Sequence, residues 1–293
     1  MNLAGNITAL VTPFKDGVID EERFREFIEW QIREGVNGLS PCGTTGESAT
    51  LSHAEHEKVI GICIDQVKGR VPVLAGAGSN NTSEAIALGA FAKKAGADAL
   101  LLITPYYNKP TQEGLVAHYK AIAREVSLPT IVYNVPGRTA LNIQPATMAR
   151  LFREVPEIIG VKEATGDLAQ VSDILELCGE GFILLSGDDF TVAPSMALGG
   201  KGVISVVANL VPAKMSSLCS EAAAGNAAET RKLHFELAPL CRACFLETNP
   251  VPVKTALGLM GKMSGEVRLP LVPLQAANQR RLEEVLREAD LIA

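Results

Sequence analysis

Between Ile7 and Gly202 the chain repeats one pattern eight times: a short apolar run rich in β-branched residues, then a segment with helical spacing. The runs begin near Ile7, Gly38, Val71, Ala99, Thr130, Ile158, Phe182 and Gly202. A strand that is apolar throughout, rather than at alternate positions, belongs to a parallel sheet covered on both faces. Strict strand–helix alternation supplies the crossovers that such a sheet needs, and eight units predict a closed (β/α)8 TIM barrel. The first helical segment shows one apolar face, Phe24, Phe27, Ile28 and Ile32, and the second shows Val59, Ile60, Cys63, Ile64 and Val67. The second opens on Ser52-His53-Ala54-Glu55, where hydroxyl and carboxylate can each satisfy an orphan amide as a capping box.

From about Gly225 helical periods continue without strands, over 233–246, 253–260 and 282–291. The Pro-rich stretches Asn249-Pro250-Val251-Pro252 and Leu269-Pro270-Leu271-Val272-Pro273 break these helices, since proline lacks a donor and disfavours helix before it. The expected organisation is a barrel over 1–224 carrying the active site and a C-terminal helical region over 225–293.

Several function classes drop out on charge and composition. Charged residues make up 20% of the chain, the net charge is -6, and the longest basic pairing is Arg280-Arg281, which argues against nucleic acid and anionic membranes. No apolar run approaches the roughly 18 residues of a membrane span. Met1-Asn2-Leu3-Ala4-Gly5-Asn6 has no basic segment leading into an apolar one, so a cytoplasmic protein is expected. The six cysteines read as reduced thiols, Cys241-Arg-Ala-Cys244 being a lone CxxC. The four histidines form no HExxH, and neither a complete GxGxxG after a strand nor a Walker lysine motif is present, so no metal and no nucleotide cofactor is expected. His53 and His56, one helical turn apart, read as helix-surface residues.

In a β/α barrel the loops after the strands converge at one mouth. Strand two leads into Gly43-Thr44-Thr45-Gly46-Glu47, strand four into Thr104-Pro105-Tyr106-Tyr107-Asn108 and strand five into Tyr133-Asn134-Val135-Pro136-Gly137-Arg138-Thr139. Strand six, Ile158-Ile159-Gly160-Val161-Lys162-Glu163, ends on an ammonium, and strand seven on Ser186-Gly187-Asp188-Asp189. A desolvated lysine loses its proton and becomes a nucleophile for a ketone; the alternatives are pairing with Glu163 or snorkelling to solvent. The glycines of Gly43–Gly46 either let amides and hydroxyls approach a carboxylate or serve only as turns. Tyr107 and Tyr133 either join Thr45 in a proton relay or fill core, and Arg138 either clamps a carboxylate or stands in solvent. Gly199-Gly200-Lys201-Gly202 looks like a phosphate loop but precedes strand eight, at the wrong end for a substrate.

Taken together, Gly43-Thr44-Thr45-Gly46-Glu47, Pro105-Tyr106-Tyr107-Asn108-Lys109-Pro110, Tyr133-Asn134-Val135-Pro136-Gly137-Arg138-Thr139 and Gly160-Val161-Lys162-Glu163-Ala164-Thr165 resemble the dihydrodipicolinate synthase family, over essentially the whole chain. The resemblance implies a lyase in which Lys162 forms an imine with pyruvate, whose enamine adds to L-aspartate 4-semialdehyde, with no cofactor beyond that imine. It implies Tyr133 and Thr44 or Thr45 as the proton relay and Tyr107 as a phenol lent by a neighbouring subunit. Arg138 corresponds to the semialdehyde clamp, and Gly187 and Ile204 to positions whose backbone faces the imine. A homotetramer built as a dimer of dimers is implied, as is an L-lysine effector site at Ser48, Ala49, His53, His56, Asn80, Glu84 and Tyr106. Cys42 stands where members often have valine and reads as small apolar filler open to alkylation. Two other readings remain at this point: a sugar-acid aldolase of the same superfamily, and a non-catalytic barrel that binds an amino acid.

Overall fold

The computed structural model describes residues 3–293; Met1 and Asn2, the start of the N-terminal stretch read above, lie outside it. Eight parallel strands form one sheet: β1 (Gly5–Ala9), β2 (Gly38–Ser40), β3 (Leu74–Gly76), β4 (Ala99–Ile103), β5 (Thr130–Asn134), β6 (Ile158–Glu163), β7 (Ile183–Ser186) and β8 (Gly202–Ser205). Their order is β2-β1-β8-β7-β6-β5-β4-β3. The two ends join through a parallel bridge between Leu39 and Val73, with Leu39 N donating to Pro72 O (3.0 Å) and Gly76 N to Pro41 O (3.0 Å), so the sheet closes. Gly76 makes this approach possible, because a Cβ there would stand 2.2 Å from Cys42 O.

Helices alternate with the strands: α1 (Glu21–Arg33), α2 (His53–Val67), α3 (Thr82–Ala95), α4 (Gln112–Val126), α5 (Pro145–Glu154), α6 (Leu168–Cys178), α7 (Val192–Ala197) and α8 (Pro212–Ala223). Three more follow, α9 (Ala227–Ala243), α10 (Val251–Leu259) and α11 (Ala276–Glu288), with α9 packed on α8 and α11 against both α9 and α10. The capping box of α2 is present in both directions, Ser52 to Glu55 N and Glu55 to Ser52 N. Strand three starts at Leu74 rather than Val71, because Pro72 cannot donate to the ladder. A small hairpin, Phe14–Lys15 with Val18–Ile19, has no counterpart in the sequence reading.

Side chains alternate between two cores, as the period of a strand demands. Ile7, Leu74, Leu101, Ile131, Leu185 and Ile204 fill the barrel, and a larger layer lies between sheet and helices. The predicted faces of α1 and α2 hold at Phe24, Phe27, Ile28, Val59, Ile60, Cys63 and Val67, whereas Ile32 and Ile64 are only partly buried. Gln31 is buried on α1 instead, accepting from Thr8 Oγ1 (2.7 Å) and donating to Ala208 O (3.1 Å). Among the described residues no helix is long and apolar enough to cross a membrane.

Candidate active site

Tyr133 on β5 and Lys162 on β6 are paired in register, so both side chains enter the barrel, while the intervening parity sends Asn134 and Glu163 outward. The consequence for Lys162 is direct. Glu163 accepts from Asn134 Nδ2 (2.9 Å), Gln170 Nε2 (3.0 Å) and Thr165 N (2.8 Å), all on the helix side of the sheet. Pairing with Glu163 is therefore not the fate of Lys162, and at 6% exposure neither is snorkelling. Its Nζ lies 4.2 Å from the centre of the Tyr133 ring. Burial draws the amine down to about 8, against the pull of the Asp189 carboxylate and with help from the Arg138 charge. At pH 7 such an amine is neutral in roughly a tenth of molecules, against about 3 in 10,000 at the ordinary value.

Gly187 at the end of β7 leaves the room in which Lys162 lies: a Cβ there would meet Lys162 Cγ and Cε at 3.1 Å and Ala164 Cβ at 2.6 Å. Its amide donates to Glu163 O (2.7 Å), so only its carbonyl can face an imine. Ile204 on β8 is buried in the same interior cluster.

A cavity of about 420 Å³ opens at this mouth, with Thr44, Tyr133, Arg138 and Asn249 among its walls. Burial pushes the Tyr133 phenol up, opposed by the Thr44 hydroxyl and the Arg138 charge. Thr45 is buried, its Oγ1 accepting from Asn249 Nδ2 (3.0 Å). Arg138 sits on a short helical turn, Pro136–Thr139, started by a proline at its first position; its side chain is exposed toward the cavity, and Nη2 donates to Asn249 O (3.2 Å). Tyr107 is not brought to this group: it is 92% exposed at a positive φ of 70. Its loop is pinned to the neighbouring one, Asn80 Nδ2 donating to Tyr106 O (3.1 Å) and Asn108 Nδ2 to Asn80 O (2.9 Å).

Ser48, Ala49, His53, His56, Glu84 and Tyr106 line the other side of the same cavity. His53 Nε2 meets Glu84 Oε1 at 2.5 Å, and Ser79 donates to the other oxygen of Glu84; these partners hold the Glu84 carboxyl below its ordinary value, Ser79 most of all. His56 departs from the surface role read for it. It is 6% exposed, and Nε2 donates to Gly76 O (2.6 Å), because α2 turns this position toward the β2–β3 closure. Burial lowers its pKa, against the pull of the hydrogen bond to Gly76. Cys42 is buried beside it, its thiol pushed up by burial. Cys241 and Cys244 are likewise buried with raised thiols, and among the described residues no group of three or more His, Cys, Asp or Glu is placed to hold a metal ion.

Three features were not read from sequence. Asp189, read only as a member of its loop, is buried and raised by burial, accepting from Ser205 Oγ (2.5 Å), Val206 N and Val207 N (both 3.1 Å). Asn249 contacts both Thr45 and Arg138 from a segment to which the sequence reading gave no site role. Lys254 forms a fully buried ion pair with Glu47 at 2.6 Å. A polar residue inside an otherwise apolar period, such as Lys254 in Val251-Pro252-Val253-Lys254, is the signal that was available.

Known proteins resemble this chain in sequence and fold. The profile of the Dihydrodipicolinate synthetase family matches residues 2–289. A 4-hydroxy-tetrahydrodipicolinate synthase of Nitratidesulfovibrio vulgaris (strain DP4) is 67% identical over 292 residues, covering 100% of both chains. Among solved structures, the dihydrodipicolinate synthase of Acinetobacter baumannii complexed with pyruvate has 46% identity and a TM-score of 0.96, over 99% of each chain. The enzyme of Cyanidioschyzon merolae with lysine bound has 38% identity and a TM-score of 0.96, again over 99% of each chain.

Proposed function

Because this chain belongs to the dihydrodipicolinate synthetase family, we propose that it is a lyase condensing pyruvate with L-aspartate 4-semialdehyde to 4-hydroxy-tetrahydrodipicolinate and water, in lysine and diaminopimelate biosynthesis in the cytoplasm. One observation carries this reading: a lysine amine held inside the barrel with no carboxylate paired to it among the described residues, its pKa drawn to about 8. The neutral Nζ of Lys162 adds to the keto carbon of pyruvate, and loss of water leaves an imine. Loss of a methyl proton converts the imine to an enamine, whose carbon attacks the aldehyde of the second substrate. The amino group of the new chain then attacks the imine carbon and expels Lys162, so the chain's own amine does the work of a cofactor.

The residues take the following roles. Tyr133 and Thr44 carry protons to and from the carbinolamine and the aldehyde oxygen, the raised phenol staying protonated until substrate draws on it. Thr45 contacts the pyruvate carboxylate, and Arg138, forked and exposed at the cavity, takes the carboxylate of the semialdehyde. Gly187 and Ile204 bound the imine.

Tyr107 completes the relay of a second copy. Its 92% exposure on a pinned loop supports that exchange, and two such dimers make the tetramer. L-lysine acts as feedback effector at Ser48, Ala49, His53, His56, Asn80, Glu84 and Tyr106, where an ionised Glu84 suits an ammonium. Asn80 and Tyr106 serve its carboxylate end.

Incubation with pyruvate and borohydride, followed by peptide mapping, tests the core of this reading. A reduced three-carbon adduct on the peptide carrying Lys162 is expected, together with turnover of the semialdehyde and none of sugar acids. An unmodified Lys162 overturns it. For the exchange of Tyr107, chains carrying Lys162→Met and chains carrying Tyr107→Phe should regain turnover when co-assembled, since one mixed site then holds both native residues. Absence of any regain removes Tyr107 from the neighbour's site.

A further inference from the structure

Asn249 lies between α9 and α10, far in sequence from the loops at the barrel mouth, yet it contacts two of the residues given roles above. Its side-chain amide donates to Thr45 Oγ1 (3.0 Å) and its main-chain carbonyl accepts from Arg138 Nη2 (3.2 Å). It is 4% exposed, and its Oδ1 is buried with no donor among the described residues. A buried acceptor left unpaired costs stability, which offsets part of what the two hydrogen bonds of this residue contribute.

The hydrogen bond has a direction, and that direction matters. A threonine hydroxyl has one proton, and an oxygen that already accepts from an amide is left to donate that proton elsewhere, more strongly for being polarised. Thr45 is thereby set as a donor, which is what contact with a carboxylate requires. Without the amide, the hydroxyl is free to turn and accept.

The segment that carries Asn249 is itself held. Five residues on, Lys254 Nζ bonds Glu47 Oε1 (2.6 Å) and Thr12 O (2.9 Å), while Thr12 Oγ1 donates to Gly46 O (2.7 Å). The loop from Thr45 to Glu47 and the segment from Asn249 to Lys254 are therefore joined at both ends, so the amide of Asn249 meets Thr45 in a fixed geometry.

We propose that Asn249 is a positioning residue for the reaction, orienting the Thr45 proton toward the carboxylate of the keto acid and seating the Arg138 guanidinium for that of the amino aldehyde. The proposal rests on Thr45 contacting pyruvate, and its test separates the two. In a double-mutant cycle on kcat/KM for pyruvate, Asn249→Ala should lower the value by roughly 10- to 100-fold, the scale of a misplaced contact. In a Thr45→Val background the same change should cost less than about twofold, since the hydroxyl it orients is gone. Thermal unfolding should fall by no more than the loss of one buried hydrogen bond explains.

Equal losses in the two backgrounds overturn the positioning role while leaving Thr45 in place. A Thr45→Val enzyme with unaltered kcat/KM overturns the reading of Thr45 and the proposal with it. Should Asn249→Ala fail to fold, Asn249→Leu keeps the branched shape without the amide, and the same cycle applies. Native kcat/KM in that variant also overturns the proposal.

Discussion

Among the described residues two lysines are buried, each with its Nζ 4.2 Å from the centre of an aromatic ring, Lys162 over Tyr133 and Lys254 over Phe14. Burial lowers both amines. They differ in what else each meets. Lys254 has Glu47 at 2.6 Å and the Thr12 carbonyl at 2.9 Å, and Glu47 in turn accepts from Arg268 N (3.0 Å). Lys162 has no such partner among the described residues, because the carboxylate next to it in sequence is turned through the sheet to Asn134, Gln170 and Thr165. The same side chain, buried in both places, becomes a strut where a carboxylate pairs with it and a nucleophile where none does. Burial alone decides neither outcome.

The sharpest way to break this contrast is to replace each lysine with methionine. Lys162→Met should cut turnover by more than about 10⁴-fold, the scale on which loss of a covalent nucleophile acts, while chemical denaturation finds the fold as stable as before or more so. Lys254→Met should reverse the pattern, costing about 3–5 kcal/mol of stability by stranding Glu47 in the interior. Restoring much of that loss with Glu47→Gln in the same chain would confirm that the stranded charge was its source. Lys254→Met with native stability would mean that the pair is not a strut.

Two smaller effects refine it. Asp189 is the carboxylate whose charge favours the protonated form of Lys162. Removing it by Asp189→Asn withdraws that support, so the amine should titrate below about 8 and the rise of imine formation with pH should move to lower pH. A shift to higher pH contradicts the sign. Glu163→Gln should change the pyruvate kcat/KM by less than about threefold and leave the titration of Lys162 in place, since its carboxylate lies outside the barrel wall. A displaced pH profile in that variant would show that the two groups do interact.

The eight strands were legible because parallel strands buried on both faces are written as unbroken apolar runs, and the start of α2 because a capping box is a local pattern. The outward turn of Glu163 was legible in principle too. Neighbours on a strand face opposite sides, so the pairing of Lys162 with Glu163 conflicts with the strand that carries them. What could not be read is long-range. Lys254 and Glu47 are 207 residues apart, and Asn249 and Thr45 are 204 apart, so closure of the barrel and return of the C-terminal segment to its mouth bring them together. The burial of His56 was hidden for a related reason, since helical spacing placed it beside His53 but not against the carbonyl of Gly76.

The decisive measurement is the titration of the Lys162 amine itself, followed by carbon NMR of the protein labelled at lysine Cε and assigned by the signal absent from Lys162→Met. A midpoint near 8 is expected, because burial outweighs the charge of Asp189 and no carboxylate among the described residues pairs with the amine. A midpoint at or above the ordinary lysine value would show an ammonium stabilised in the barrel, and the nucleophile on which this account depends would not exist.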